Sequence, residues 1–191
     1  MPKCILLGES SLNIIHARPA GCVLVDMFYV GYSTGPALFT YGANPCLAVV
    51  IHNTRTDTGV IAHIVMTVGP SNWTLMRDTV YARILSIITG LGFESEYNKL
   101  QIFLFGATDL ADHPGENFPR YLARVMPAVE LFDKLDYPPL LRIHNPNIGR
   151  NAAQVLYWPA EHIVAELDLD ELRYLQSKRK ESLSGVTLKL Y

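Results

Sequence analysis

The sequence predicts an α+β domain of packed mixed sheets covered by two or three helices, and three observations carry that prediction. The first half is a series of short apolar segments separated by Gly, Pro, Asn and Asp clusters, the punctuation of strands and turns. A stretch after Pro70 carries a helical period, and strand-like runs mix with two further helical stretches toward the C-terminus. No repeat, low-complexity run or linker composition divides the 191 residues, so 1–191 reads as a single domain.

The elements follow in order. Strands are expected at Lys3–Leu7, Cys22–Val30, Ala37–Tyr41, Cys46–His52 and Gly59–Thr67, several of them apolar on both faces, as buried strands are. A helix follows Pro70, with Ser71 or Asn72 as N-cap and Gly90 as its stop. Trp73, Met76, Val80, Ile84 and Ile87 recur at steps of three and four and mark its buried face. A second helical stretch covers 117–135 through Leu122, Val125, Val129 and Phe132, with Pro127 expected to kink or divide it. Leu100–Phe105, Leu140–His144, Ala153–Trp158 and His162–Leu167 read as strands, and a last helix over Asp168–Glu181 makes 166–191 a C-terminal helical tail. The helices are expected to cover one side of the packed sheets.

Composition narrows the function. Residues are 49% hydrophobic and 18% charged, as in ordinary globular proteins, and a chain of this size buries roughly 70% of its unfolded surface without staples. Sixteen Lys and Arg against eighteen Asp and Glu give a net charge of −2, which does not point to nucleic acid. The basic run Lys178-Arg179-Lys180 reads as a solvated helix end. Three cysteines, an odd number without CxxC spacing, predict no disulfide framework. No window has the length of a membrane span and the N-terminal apolar run is too short for a signal peptide, so a cytoplasmic location is expected, with secretion as an effector as the alternative.

Cys46 stands where a Gly-Asn-Pro loop meets an apolar strand, a setting that would hold its thiol near the surface, and His63 lies inside the next strand. If the two strands form a hairpin centred on Thr54 and Arg55, facing residues have numbers summing to 109. Cys46 is then opposite His63, with Cβ atoms about 4.5–5.5 Å apart. A turn centred near Asp57 would change the register, and an even sum would put the histidine on the other face. An imidazole beside a thiol takes its proton and later returns it to a departing amine, the logic of acyl transfer. The competing reading is structural: a Cys is commonly a small buried hydrophobe, and a His in an apolar strand a satisfied core residue.

Other polar residues suggest less. Cys4 and Cys22 lie in apolar strands and read as buried and inert. His52 shares a face with Cys46 but would be about 20 Å away along an extended strand, too far to serve as its base. Asp109, Asp112, His113 and Glu116 read as a polar Pro-Gly loop rather than a metal cluster. No metal and no cofactor are expected.

Four segments resemble the CheD family of chemoreceptor glutamine deamidases and occur in its order: Gly8-Glu9-Ser10, Thr40-Tyr41-Gly42-Ala43-Asn44-Pro45-Cys46, Gly59–Met66 and Phe105-Gly106-Ala107-Thr108. Thr40 precedes Cys46 by six residues and His63 follows it by seventeen, the intervals of that family. The resemblance implies Cys46 as nucleophile, His63 as general base and acid and Thr40 as the group orienting the histidine. Asn44, Gly106 and Asn151 would contribute to a substrate or oxyanion loop. It further implies deamidation of a Gln or Asn side chain on a protein partner. N-terminal asparagine amidohydrolases and cytotoxic necrotizing factor toxins share the Cys-His logic. The chain departs from the pattern at Asn44-Pro45, where the family carries Gly-Ser, and at Ile148-Gly149-Arg150-Asn151, where it carries Gly-Asn-Arg. About 12 additional residues lie between the first motif and Thr40. Those departures leave a catalytically silent interaction module as the reading from a different class.

Overall fold

Strand β4 (Leu47–Asn53) is buried along its whole length, so each of its two faces must be covered by something apolar. Its odd-numbered residues Leu47, Val49 and Ile51 pack with Val80, Ile84 and Ile88 of helix α1 (Trp73–Gly90). Its even-numbered Ala48 and Val50 pack instead with Leu38, Val155 and Tyr157 of a second sheet. The period of two in a strand thus builds two cores back to back. A third core joins the far side of that second sheet, through Phe39 and Leu156, to Leu172 and Leu175 of helix α2 (Leu169–Ser177). The order of layers is α1, sheet, sheet, α2, an α+β sandwich.

The computed structural model describes residues 19–43, 46–65, 73–106, 140–143 and 153–190. Among them, the remaining strands are β1 (Cys22–Leu24), β2 (Tyr29–Ser33), β3 (Ala37–Ala43), β5 (Thr58–Ile64), β6 (Leu100–Gly106), β7 (Leu140–Ile143), β8 (Ala153–Trp158), β9 (Ile163–Glu166), β10 (Arg179–Lys180) and β11 (Val186–Leu190). One sheet has five strands in the order β10-β1-β3-β8-β9 and the other six in the order β11-β2-β5-β4-β6-β7. Both are mixed: β1 runs parallel to β3 and β10, β6 runs parallel to β7, and the other pairs are antiparallel.

Several expectations are corrected. The helices cover opposite outer faces of the sandwich rather than one side, because each sheet needs its own cover. Cys22–Val30 is not one strand: β1 and β2 belong to different sheets, and the chain crosses between them at a corner where Asp26 Oδ1 accepts the Met27 N–H and Phe28 has φ 68°. The glycine that stops helix α1 is Gly92 rather than Gly90. Gly92, at φ 70°, donates to Thr89 O, while the Phe93 N–H reaches Ile88 O at 3.0 Å, the two bonds of a Schellman cap. The buried ring of Phe93 then closes over the same core as Ile88.

The C-terminal segment is not a helical tail. Asp168 starts α2 with a capping box, its side chain accepting from the Glu171 N–H while Glu171 accepts from the Asp168 N–H. The helix ends at Ser177 rather than Glu181, and Arg179 and Lys180 become an exposed edge strand beside β1. β11 forms the edge of the other sheet beside β2. Charged edges of this kind discourage strand addition. The strand expected at Lys3–Leu7, the helix at 117–135 and the loop of Asp109 to Glu116 lie outside the described residues.

Candidate active site

The β4–β5 hairpin pairs Leu47 with Ile64 and Ala48 with His63, so facing residues sum to 111 rather than 109. Its turn is centred between Arg55 and Thr56, one residue later than the sequence predicts. His63 therefore faces Ala48 rather than Cys46, which stands in a bend just before β4 begins. The shift keeps an odd sum, which leaves His63 on the same face as Ala48, the face turned toward the five-stranded sheet.

Thr40 reaches that histidine from the opposite sheet. Leu38 and Ala43 of β3 point into the space between the sheets, and Thr40, fully buried, does the same. Its Oγ1 lies 2.8 Å from His63 Nδ1. A bulge in the β3–β8 ladder between Thr40 and Ala43 sets this geometry, with Gly42 at φ 74° as the residue that admits it. The bulge leaves Tyr41 and Gly42 exposed and returns Ala43 to the interior. The His63 carbonyl accepts from the Phe28 N–H at 3.3 Å, so the histidine is fixed by backbone as well as side chain.

His63 is 1% exposed, and its Nε2 is shut off from solvent. Burial lowers its pKa and the nearby Asp26 carboxylate partly opposes that, so the imidazole is neutral at physiological pH and holds a lone pair for a proton. Cys46 is only 6% exposed, which corrects the expectation of a thiol held near the surface. Close packing is the reason. Gly106, paired with Leu47, has φ 90°, and a Cβ there would meet Ala43 O at 2.1 Å and Cys46 O at 2.8 Å. Only glycine lets β6 close onto the backbone of Ala43 and Cys46. Asn44 and Asn151 lie outside the described residues.

Cys22 is fully buried, as expected. Its Sγ donates to Leu175 O at 3.2 Å, and desolvation pushes its thiol up to about 11.

A second polar cluster lies at the opposite end of the sandwich and escapes the sequence reading. His52, 2% exposed, faces Gly59, which has no side chain to fill the space, and His52 Nδ1 lies 2.9 Å from the Tyr157 hydroxyl. A Cβ on Gly59 would sit 2.5 Å from that hydroxyl, so the glycine makes the contact possible. Burial raises the Tyr157 pKa well above the usual tyrosine value, and burial together with the neighbouring His162 lowers that of His52. The separation of His52 from Cys46 is as expected; the residues that gather round it, Asp57 and His162, come from two different turns.

No protein-family model matches the chain, and no curated protein matches it. Among the described residues no helix is long and apolar enough to cross a membrane.

Proposed function

We propose that the chain is a thiol amidohydrolase that deamidates Gln or Asn side chains of proteins in the cytoplasm through a thioester on Cys46. The observation that carries this reading is the buried 2.8 Å contact between Thr40 Oγ1 and His63 Nδ1, with the buried Cys46 thiol just before the strand that pairs with that of His63. A histidine whose Nδ1–H is held by a hydroxyl presents Nε2 as its base, the tautomer that acyl transfer requires. The intervals from Thr40 to Cys46 and from Cys46 to His63, shared with the CheD family, support the same assignment.

In this mechanism His63 accepts the Cys46 proton and the thiolate attacks the carboxamide carbon. The tetrahedral intermediate collapses as His63 returns the proton to nitrogen and ammonia leaves, breaking the C–N bond. His63 then takes a proton from water, the resulting hydroxide attacks the thioester, and the acid departs as the Cys46 thiol re-forms. Pro45 has no N–H to give, so an oxyanion hole would use the Cys46 N–H or other donors. Exposed Met27 and Phe28, adjoining the backbone that bonds His63, and exposed Tyr41, next to Thr40, offer apolar surface to a protein substrate.

Ammonia release from Gln- and Asn-bearing proteins and peptides, with mass spectrometry locating each amide-to-acid conversion, tests the reading. A well-folded Cys46→Ser protein that retains turnover removes Cys46 from the mechanism. One observation favours a second reading, a silent interaction module: Cys46 is only 6% exposed. Absence of turnover on internal amides and on N-terminal Asn alike, in a chain whose Cys46 resists alkylation, would select it.

A further inference from the structure

Three potential metal ligands converge where the two sheets meet at the end of the sandwich remote from Cys46. His52 Nε2, Asp57 Oδ1 and His162 Nδ1 all lie within 4.8 Å of one another. Asp57 Oδ1 is 3.9 Å from His52 Nε2 and 3.6 Å from His162 Nδ1, and the two rings meet edge to face with centroids 5.7 Å apart. These separations are too long for hydrogen bonds. Both ring nitrogens are nevertheless closed off from solvent and have no hydrogen-bond partner. A buried polar atom in that state calls for an explanation, and two aimed at one carboxylate call for a common one.

The supports are built as for ligands. Tyr157, on β8 of the opposite sheet, contacts His52 Nδ1 at 2.9 Å; with the proton on Nδ1 that hydroxyl accepts it, and the lone pair is on Nε2, facing Asp57. His162 caps the short helical turn Pro159–Glu161 in a left-handed conformation, φ 56°, and Asp57 ends the β4–β5 turn in the same conformation, φ 51°. That turn is clamped. Arg55 and Asn53 both hydrogen-bond Glu96, and Thr54 N–H and Oγ1 both donate to Lys99 O.

We propose that His52, Asp57 and His162 form a binding site for a divalent transition metal ion of the zinc class. Two imidazoles and one carboxylate suit zinc, with ligand bonds of about 2.0–2.2 Å and a fourth position left to solvent. Asp57 is half exposed, which gives the ion both an entry path and that open position. A small inward movement of the two turns brings the donors to bonding distance. Because His52 and Asp57 belong to the six-stranded sheet and His162 to the β8–β9 connection of the other, the ion clips the sandwich together, opposite the Thr40–His63 contact.

The full chain, stripped with a chelator, is titrated with zinc chloride by calorimetry, and with cobalt(II) for its visible spectrum. The expected result is one ion per chain at micromolar affinity or tighter, with a raised melting temperature. Asp57→Asn and His162→Asn, in which asparagine keeps the left-handed backbone, bind at least tenfold more weakly. Tyr157→Phe weakens binding by about 10–100-fold through the orientation of His52. Cys46→Ser binds as the wild type does and the cobalt complex has no thiolate charge-transfer band. Absence of saturable binding by the wild type, undiminished affinity in both asparagine variants, or loss of affinity in Cys46→Ser each overturns the site.

Discussion

Thr40 and His63 belong to different sheets, and the 2.8 Å contact between Thr40 Oγ1 and His63 Nδ1 spans the space between them. One hydroxyl thus does two things: it satisfies a buried ring nitrogen, and it fixes which way the imidazole is turned. Thr40→Val preserves the side-chain shape and removes the hydroxyl, so it separates these effects from packing. Stability is expected to fall by about 1–3 kcal/mol, and turnover on the order of 10²-fold, as the base loses its orientation. Thr40→Ser restores most of both. Equal turnover in the Val and wild-type proteins would exclude Thr40 from the reaction.

The two described cysteines are expected to differ in reactivity. Cys22 is fully buried and its thiol is pushed up to about 11, so at pH 8 only about one molecule in 10³ carries the thiolate. Cys46 stands just before β4, and the proposed mechanism gives it the His63 imidazole as its base. Peptide mapping after a short iodoacetamide pulse should find Cys46 modified well before Cys22, and modification of Cys46 should abolish ammonia release. Comparable rates at the two positions would refute the assignment of a paired thiol.

Much of this is legible in the sequence, and the failures have physical causes. The apolar-on-both-faces strands around Cys46 and His63 identify the centre of the sandwich, since only a strand between two covered faces carries Val49, Val50 and Ile51 in succession. The hairpin turn lies one residue from its expected place because Thr54, Arg55, Thr56 and Asp57 are all acceptable turn residues. The decision is made by Asp57 accepting a left-handed backbone and by Glu96, 41 residues away, holding Arg55. Burial of Cys46 is not legible, because it depends on Gly106 closing from a strand far along the chain. The cluster at His52 is hidden for the same reason: each ligand is ordinary in its own segment, and only the pairing of the sheets joins them.

Burial of His52 and His63 predicts how stability depends on pH. Desolvation lowers both pKa values in the folded state, with His162 adding to the effect on His52. Below the unfolded value of about 6.5 the unfolded chain then binds more protons than the folded one, so unfolding free energy falls as pH falls. The stabilisation is fully present above that value and is lost toward the lower folded values. Glu171, whose pKa burial raises, gives the opposite slope in the carboxylate range. Urea midpoints for chelator-treated protein should be level from pH 8 to 7 and decline toward pH 5.5. A midpoint that rises over that interval would contradict the neutral, desolvated state assigned to both rings.

Gly106→Ala tests whether the backbone around Cys46 is built by close approach. The position has φ 90°, which costs any residue with a Cβ on the order of 1–3 kcal/mol before contacts are considered. The contacts make it worse: the new methyl would lie 2.1 Å from Ala43 O and 2.8 Å from Cys46 O, and both obstacles are backbone, which cannot rotate away as a side chain can. The strand end must therefore separate from the loop bearing the thiol. Thermal melting should show a loss of stability, while at temperatures where the variant is still folded its Cys46 should alkylate faster than in the wild type, because the cover has been lifted. Turnover should fall at the same time, since the backbone that carries the proposed nucleophile is displaced. His52, at the other end of β4, should keep its contact with Tyr157, so zinc affinity should be unchanged. A Gly106→Ala protein with wild-type stability and wild-type Cys46 reactivity would mean that β6 does not close over this loop in solution.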